Sequence, residues 1–81
     1  MNNYNYGNFL DDLRTGREIH FIYKEENYYI GGGTGQFMFW RFYDSTSERI
    51  GKDLDDLLRQ VKLDGMQIKQ IWDDIHIDAI F

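Results

Sequence analysis

The chain has 81 residues without cysteine or proline, and fourteen acidic residues against nine basic ones give a formal net charge of −5. This length suits one domain, and the absence of cysteine excludes disulfides and thiolate zinc sites. The acidic balance disfavours direct binding of nucleic acid, and no apolar run reaches the ~18–20 residues that cross a membrane. We therefore expect a cytoplasmic protein without a signal peptide, and no motif indicates a cofactor.

The N-terminal part predicts a frayed tail followed by a short helix. Residues 1–7 have little apolar content beyond two tyrosines, so we expect a frayed tail there and a single domain over residues 8–81. Asn8 is a suitable N-cap, Phe9, Leu10 and Leu13 form an apolar edge, and Gly16 is placed to end the helix.

A hairpin and a glycine-rich loop are predicted next. Residues 18–24 alternate apolar and polar side chains, which indicates a half-buried strand with Ile19 and Phe21 inside. Residues 24–27 predict a turn with Asn27 in the left-handed region, and residues 27–30 a return strand. Residues 31–35 contain four glycines and predict a flexible connection rather than a phosphate loop, because a strand follows and the loop has no lysine.

Residues 36–43 are apolar on both faces of an extended chain and predict a central strand. Phe37, Phe39 and Tyr43 share one face with Arg41, and the remaining aromatic side chains share the other with Met38. Residues 44–47 predict a polar turn, and residues 48–50 a brief fourth strand.

Two helices and a last strand complete the prediction. Residues 52–63 predict a helix with Asp53 as N-cap, residues 68–75 a shorter one that Asp64 caps, and residues 75–81 a strand. The order α-βββ(β)-α-α-β predicts an α+β fold, a mostly antiparallel sheet of three to five strands with helices on one face. We expect five helical side chains to be buried against this sheet: Leu57, Leu58, Val61, Ile71 and Trp72.

A resemblance is carried by three runs: Leu-Asp-Asp-Leu-Leu at residues 54–58, Leu-Asp-Gly at 63–65 and Ile-Trp-Asp-Asp-Ile at 71–75. These follow strands that end in Phe-Tyr-Asp at residues 42–44. Over roughly residues 17–81 the chain resembles small uncharacterised proteins of low-GC Gram-positive bacteria and their phages. The resemblance implies a bacterial or phage source and assigns no functional residue.

The strongest candidate for a metal or catalytic site is the group Asp74, His76 and Asp78. Their spacing puts all three on one face of an extended segment, where they form either a divalent-metal site or an ordinary solvated face. No nucleophile motif is present, so we expect a non-enzymatic protein.

The many aromatic residues of the chain favour a function in binding another protein. The second face of the sheet is either covered by a core or a homodimer contact, or exposed to a partner. We predict a small acidic interaction module that binds a larger protein with a basic or apolar groove. One version is an anti-defence inhibitor of a bacterial nucleic-acid enzyme, of the anti-CRISPR kind; the alternative is a metal- or small-ligand-binding protein. The predicted partner-binding residues are Trp40, Arg41, Phe42, Asp73, Asp74 and Asp78.

Overall fold

The computed structural model describes residues 4–33 and 35–81. Its elements are, in chain order, α1 (Tyr6–Arg14), β1 (Ile19–Tyr23), β2 (Glu26–Gly33), β3 (Gln36–Arg41), β4 (Asp44–Gly51), α2 (Leu54–Gln60), the 3₁₀ helix η1 (Ile68–Asp74) and β5 (His76–Ile80). The five strands form one antiparallel sheet in the order β4-β3-β2-β1-β5. The predicted α+β fold is confirmed, although β2, and not β3, is the central strand.

The helices cover one face of the sheet. Alternate strand positions point to this side, because the register aligns Phe21 with Tyr28, and Ile30 with both Ile19 and Phe39. Burying these side chains together with the helices supplies the main stabilisation, at roughly 1.5–3 kcal/mol for each fully buried apolar side chain. The helices and the loop after α2 contribute the following residues to this core: Phe9, Leu13, Leu54, Leu57, Val61, Leu63, Ile68 and Ile71.

An aromatic cluster joins α1 to η1. The helix α1 begins at Tyr6 and is capped by Asn5, so it starts inside the segment that the sequence predicts as tail. Trp72 lies 5.0 Å from Phe9 and 5.5 Å from Tyr6, and the ring of Tyr4 lies 6.3 Å away, all between ring centroids. Trp72 and Leu58 are only partly buried, whereas Leu57, Val61 and Ile71 are buried as predicted. The N-terminal tyrosines therefore anchor the chain, and Trp72 contacts α1.

The glycine-rich segment is mostly strand. Residues 31–33 belong to β2, and Gly35 takes a positive φ of 81° before β3 begins at Gln36. Thr34 lies outside the described residues. A Cβ on Gly32 would meet the ring of Phe37 at 2.7 Å, so a neighbouring aromatic ring lies over the glycine backbone. The predicted flexible loop over residues 31–35 is therefore wrong for residues 31–33, which form the end of β2, and the ring of Phe37 takes the space that a side chain at position 32 would occupy.

Two hairpin turns also differ from the prediction. The first is made by Lys24 and Glu25, with φ of 49° and 67°, and Asn27 is not among the residues with positive φ. The second is made by Phe42 and Tyr43, so β4 occupies the residues that the sequence predicts as a polar turn. In the first turn, the two consecutive left-handed residues match the right-handed twist of a two-residue hairpin even without glycine. In the second turn only Tyr43 has positive φ, at 64°.

The C-terminal part keeps the predicted order with different ends. Asp53 caps α2 as predicted, its side chain accepting a hydrogen bond from the backbone N–H of Asp56 at 2.8 Å. The second helix is the 3₁₀ helix η1, with Gln67 and not Asp64 at the N-cap position, where the backbone N–H of Gln67 donates a hydrogen bond to the side chain of Gln70 at 2.8 Å. No helix among residues 4–33 and 35–81 is long and apolar enough to cross a membrane.

Candidate interaction surface

No other part of the described chain covers the sheet face opposite the helices. We call it the open face. Its side chains come from the strand positions that alternate with the core positions, and from the residues that flank β3 and β5. Most are half-buried against one another, whereas Phe81 is 66% exposed. The side chains that define the open face are His20, Tyr29, Met38, Trp40, Phe42, Ile50 and Phe81.

Ring contacts organise the open face. Tyr29 and Trp40 are cross-strand partners whose rings stack at 3.9 Å between centroids with an interplanar angle of 15°. The imidazole of His20 makes edge contacts with Phe81 at 4.9 Å, Phe42 at 5.2 Å and Tyr29 at 5.7 Å. Cross-strand aromatic pairs contribute roughly 0.2–1 kcal/mol each and fix ring orientation. The face is therefore a pre-organised aromatic surface.

Gly31 leaves room for the hydroxyl of Tyr29 beside β2. A Cβ on Gly31 would stand 2.9 Å from the Tyr29 hydroxyl and 3.1 Å from the side chain of Glu18. Burial, together with the charge of Glu18, raises the pKa of Tyr29. The hydroxyl thus stays protonated at neutral pH, as a polar group at the margin of an apolar surface.

The open face contains carboxylates but no central basic residue. The register places Ile22, Asn27 and His76 in one row across the sheet, and Tyr29, Trp40, His20 and Ala79 in the next. None of these is lysine or arginine, and Glu18 and Glu48 lie at the two sides of this area. Beside Trp40 the face has a surface cavity of 570 Å³, lined by Met38, Trp40, Arg41, Tyr43, Asp44, Ser45 and Glu48.

Three predicted partner-binding residues lie at β3 but not on one face. Trp40 and Phe42 are on the open face, as the alternation predicts. Arg41 is the cross-strand partner of buried Tyr28 and therefore belongs to the helix side of the sheet. Its guanidinium donates a hydrogen bond to Asp44 at 2.6 Å, and this ion pair closes the Phe42–Tyr43 turn. Arg41 thus has a structural contact within the hairpin.

The predicted acidic residues lie towards the opposite edge of the sheet. Asp73 and Asp74 are exposed at the end of η1, and Asp78 is exposed on β5, three strands away from β3. Asp78 has no register partner, because the pairing of β5 with β1 skips from Ile77 to Ala79 across a bulge in β5. The bulge moves Ile80 to the core side, so the strict alternation predicted for this strand is wrong.

The metal-ligand hypothesis gains no geometric support. Asp74 ends η1 before the strand begins, and Asp78 occupies the bulge, so the three residues do not share an extended face as predicted. Within the described ranges 4–33 and 35–81, no group of three or more His, Asp or Glu side chains is arranged to hold a metal ion. Asp74, His76 and Asp78 are therefore not gathered into a ligand set.

Several residues of the surface were missed from the sequence. His20, Tyr29, Phe81, Tyr43 and Glu48 were not predicted as partner-binding, although strand alternation places His20 and Tyr29 opposite the core positions. Their assembly depends on register, which places His20 of β1 among rings from β2, the β3–β4 turn and the C-terminal residue. The sequence signal that could have identified His20 and Tyr29 is the alternation of core and outward positions along β1 and β2, which places both residues on the side away from the core.

The two hairpins predict an acid dependence of stability. A hydrogen bond from Lys24 at 2.6 Å lowers the pKa of Asp64, and the Thr46 hydroxyl at 2.6 Å lowers the pKa of Asp44. A lowered folded-state pKa gives stability that is present above the unfolded-state value and lost as pH falls through the folded one. We expect the free energy of unfolding to decrease below about pH 4, measured by urea denaturation.

Variants at these carboxylates test the cause of that dependence. Asp64→Asn is expected to be less stable than the wild type at neutral pH and to show a shallower decrease in acid. Asp11→Asn is the matched control, because Asp11 is exposed on α1 and its side chain forms no hydrogen bond or ion pair with any described residue. Parallel acid curves for wild type and Asp64→Asn would contradict the assignment.

Comparisons with known proteins return no match to a family model, a curated protein or a solved structure.

Proposed function

We propose that the chain is a non-enzymatic protein–protein interaction module that binds a larger protein through the open face. The observation that carries this proposal is the ordered row of aromatic rings on a sheet face that no described helix covers. Exposed aromatic surface is enriched at the centres of interfaces, since it provides a large apolar area at low cost in side-chain entropy. The stacked Tyr29–Trp40 pair is the expected centre of contact.

Charge determines the kind of partner. The chain has a net charge of −5, and the rows of the open face contain no lysine or arginine. Glu18 and Glu48 lie at its sides. An apolar centre with negatively charged margins complements an apolar surface that carries basic residues. The proposed partner therefore presents an apolar, basic segment, and a second copy of this acidic chain is disfavoured by charge.

His20 supports binding more than catalysis. Its ring is engaged by three aromatic rings, and the structure records no hydrogen bond from its imidazole to a carboxylate or hydroxyl. General-base catalysis requires a side chain within hydrogen-bond reach of a reacting group. The role proposed for His20 is to hold Phe42 and Phe81 in place beside the stacked pair.

A narrower proposal concerns the identity of the partner. An inhibitor of a bacterial nucleic-acid enzyme suits the acidic charge, because the basic cleft of such an enzyme is formed to receive phosphates. Asp73, Asp74 and Asp78 are exposed and form no ion pair with any residue of the described ranges 4–33 and 35–81, and they extend negative charge beyond the aromatic area. Within this proposal they strengthen and accelerate association, while the open face provides the specific contact.

Selection from a displayed library of random 12-residue peptides tests the proposed function. We expect wild-type protein to enrich peptides that combine lysine or arginine with aliphatic or aromatic residues. Their affinity should fall as salt rises from about 50 to about 500 mM, because exposed charges are screened. Binding should be lost in Ile50→Lys, which puts a like charge on the open face at a position that is 47% exposed.

A matched variant on the helix side provides the control. Met66→Lys adds the same single positive charge at a 37% exposed apolar position between α2 and η1, away from the open face, and is expected to leave peptide binding unchanged. Peptides that bind Ile50→Lys as tightly as wild type, or that contain no basic residue, would contradict the proposed function. Sedimentation of the free protein at about 10–200 μM checks self-association, and a dimer broken by Ile50→Lys would replace the proposal with a homodimer contact.

A further inference from the structure

The ring of Trp40 has one covered side and one side next to a cavity. Tyr29 stacks on it at 3.9 Å, so the face of Trp40 towards β2 is occupied. On the side of β4, the 570 Å³ cavity is lined by Trp40 together with Met38, Tyr43 and Glu48. This volume is within the range of small-ligand pockets, roughly 300–1,000 Å³, and is ample for one long side chain.

The charges around this cavity leave one carboxylate uncompensated. Arg41 and Asp44 both line it, but they neutralise each other through their ion pair at 2.6 Å. No residue of the described ranges forms a hydrogen bond or ion pair with the exposed carboxylate of Glu48, whose backbone carbonyl accepts a hydrogen bond from the Arg49 guanidinium at 2.8 Å. An aromatic face beside a free carboxylate is the combination that attracts an organic cation.

Tyr43 completes the cavity from the β3–β4 turn. Its φ of 64° puts a bulky residue in the left-handed region, which is uncommon for such residues and strains the backbone. Its side chain makes only one ring contact, to Phe42 at 6.2 Å, and the residue is fully exposed. The turn therefore holds a second aromatic ring at the mouth of the cavity, free to close over a ligand.

We propose that this cavity receives a lysine or arginine side chain of the partner, with the cation over the uncovered face of Trp40 and neutralised by Glu48. The inference rests on the proposed function, because it names the chemical group that anchors the partner to the open face. Met38 contacts the aliphatic stem, and Tyr43 shields the cation from water. Partial exclusion of water strengthens a cation–π contact.

Capped amino acids are the probes that test this inference. N-acetyl-lysine methylamide and N-acetyl-arginine methylamide are titrated into ¹⁵N-labelled protein, with N-acetyl-norleucine methylamide as the neutral probe. The signal is the indole N–H resonance of Trp40, assigned by its absence in Trp40→Phe. We expect saturable shifts with both cations and at least about tenfold weaker binding of norleucine, since the loss of the charge removes both attractions.

Variants separate this inference from the proposed function. Glu48→Gln is expected to weaken binding of both cations about five- to tenfold, whereas Glu25→Gln, an exposed acid in the β1–β2 turn, leaves it unchanged. Norleucine binding equal to lysine binding, or no effect of Glu48→Gln, would overturn the cation site. Library peptides that still require the open face under those results would leave the proposed function standing, so the two can fail separately.

Discussion

Phe21→Ala is expected to lower the free energy of unfolding by about 3–5 kcal/mol, a large part of the total stability of a domain this small. Phe21 is 0% exposed, stacks on Tyr28 at 5.2 Å and lies at the centre of the covered face. Removing its ring loses the free energy gained by transferring the ring from water into the core, and it also loses the contacts between the ring and the surrounding helices. Urea denaturation followed by far-ultraviolet circular dichroism measures the change.

The matched control is Phe81→Ala on the open face. Phe81 is 66% exposed, and its recorded ring contact is to His20, so its removal is expected to cost less than about 1 kcal/mol. Equal losses from Phe21→Ala and Phe81→Ala would show that both faces are buried in solution. That result would place a core or dimer contact where the structure has an open face.

Trp40→Ala is expected to weaken binding of the selected peptides at least about 30-fold, because buried tryptophans at interface centres contribute 2 kcal/mol or more. The change removes the stacking partner of Tyr29 and one wall of the cavity. Isothermal titration calorimetry with one selected peptide measures the loss.

The other tryptophan provides the control for this prediction. Trp72→Phe alters the cluster that joins α1 to η1 on the helix side, so it is expected to reduce stability while affinity remains within about twofold. If Trp72→Phe weakened binding as much as Trp40→Ala, the contact would not be specific to the open face.

Much of the fold follows from local patterns. Strict alternation in β1 predicted the burial of Ile19 and Phe21, and the Asp53 cap with its following leucines predicted α2. The errors occur where neighbouring strands decide the local conformation. The turn at Phe42 and Tyr43 contains no residue that favours positive φ, and the bulge at Asp78 exists only because β5 pairs with β1. Neither feature has a sequence signal within its own segment.

The candidate surface was predictable only in part. Trp40 and Phe42 were identified because β3 is apolar on both faces, and such a strand needs a cover or a partner on each. Arg41 was assigned because it lies among aromatic residues and Asp78 because it belongs to the acidic C-terminal part of the chain, and the structure places Arg41 in an ion pair on the helix side. Whether the second face is covered depends on where the helices pack, and helical periodicity does not identify the face that they choose.

Chemical-shift mapping of one selected peptide on ¹⁵N,¹³C-labelled protein tests the central claim most directly. The account predicts that the largest shifts, and intermolecular nuclear Overhauser contacts, involve the side chains of Tyr29, Met38, Trp40 and Phe42 and the neighbouring amides of β2 and β3. The amide resonances of α1, α2 and η1 should stay close to their chemical shifts in the free protein. Contacts confined to the helices, with the rings of Tyr29 and Trp40 unaffected by a saturating peptide, would contradict the open face as the binding surface.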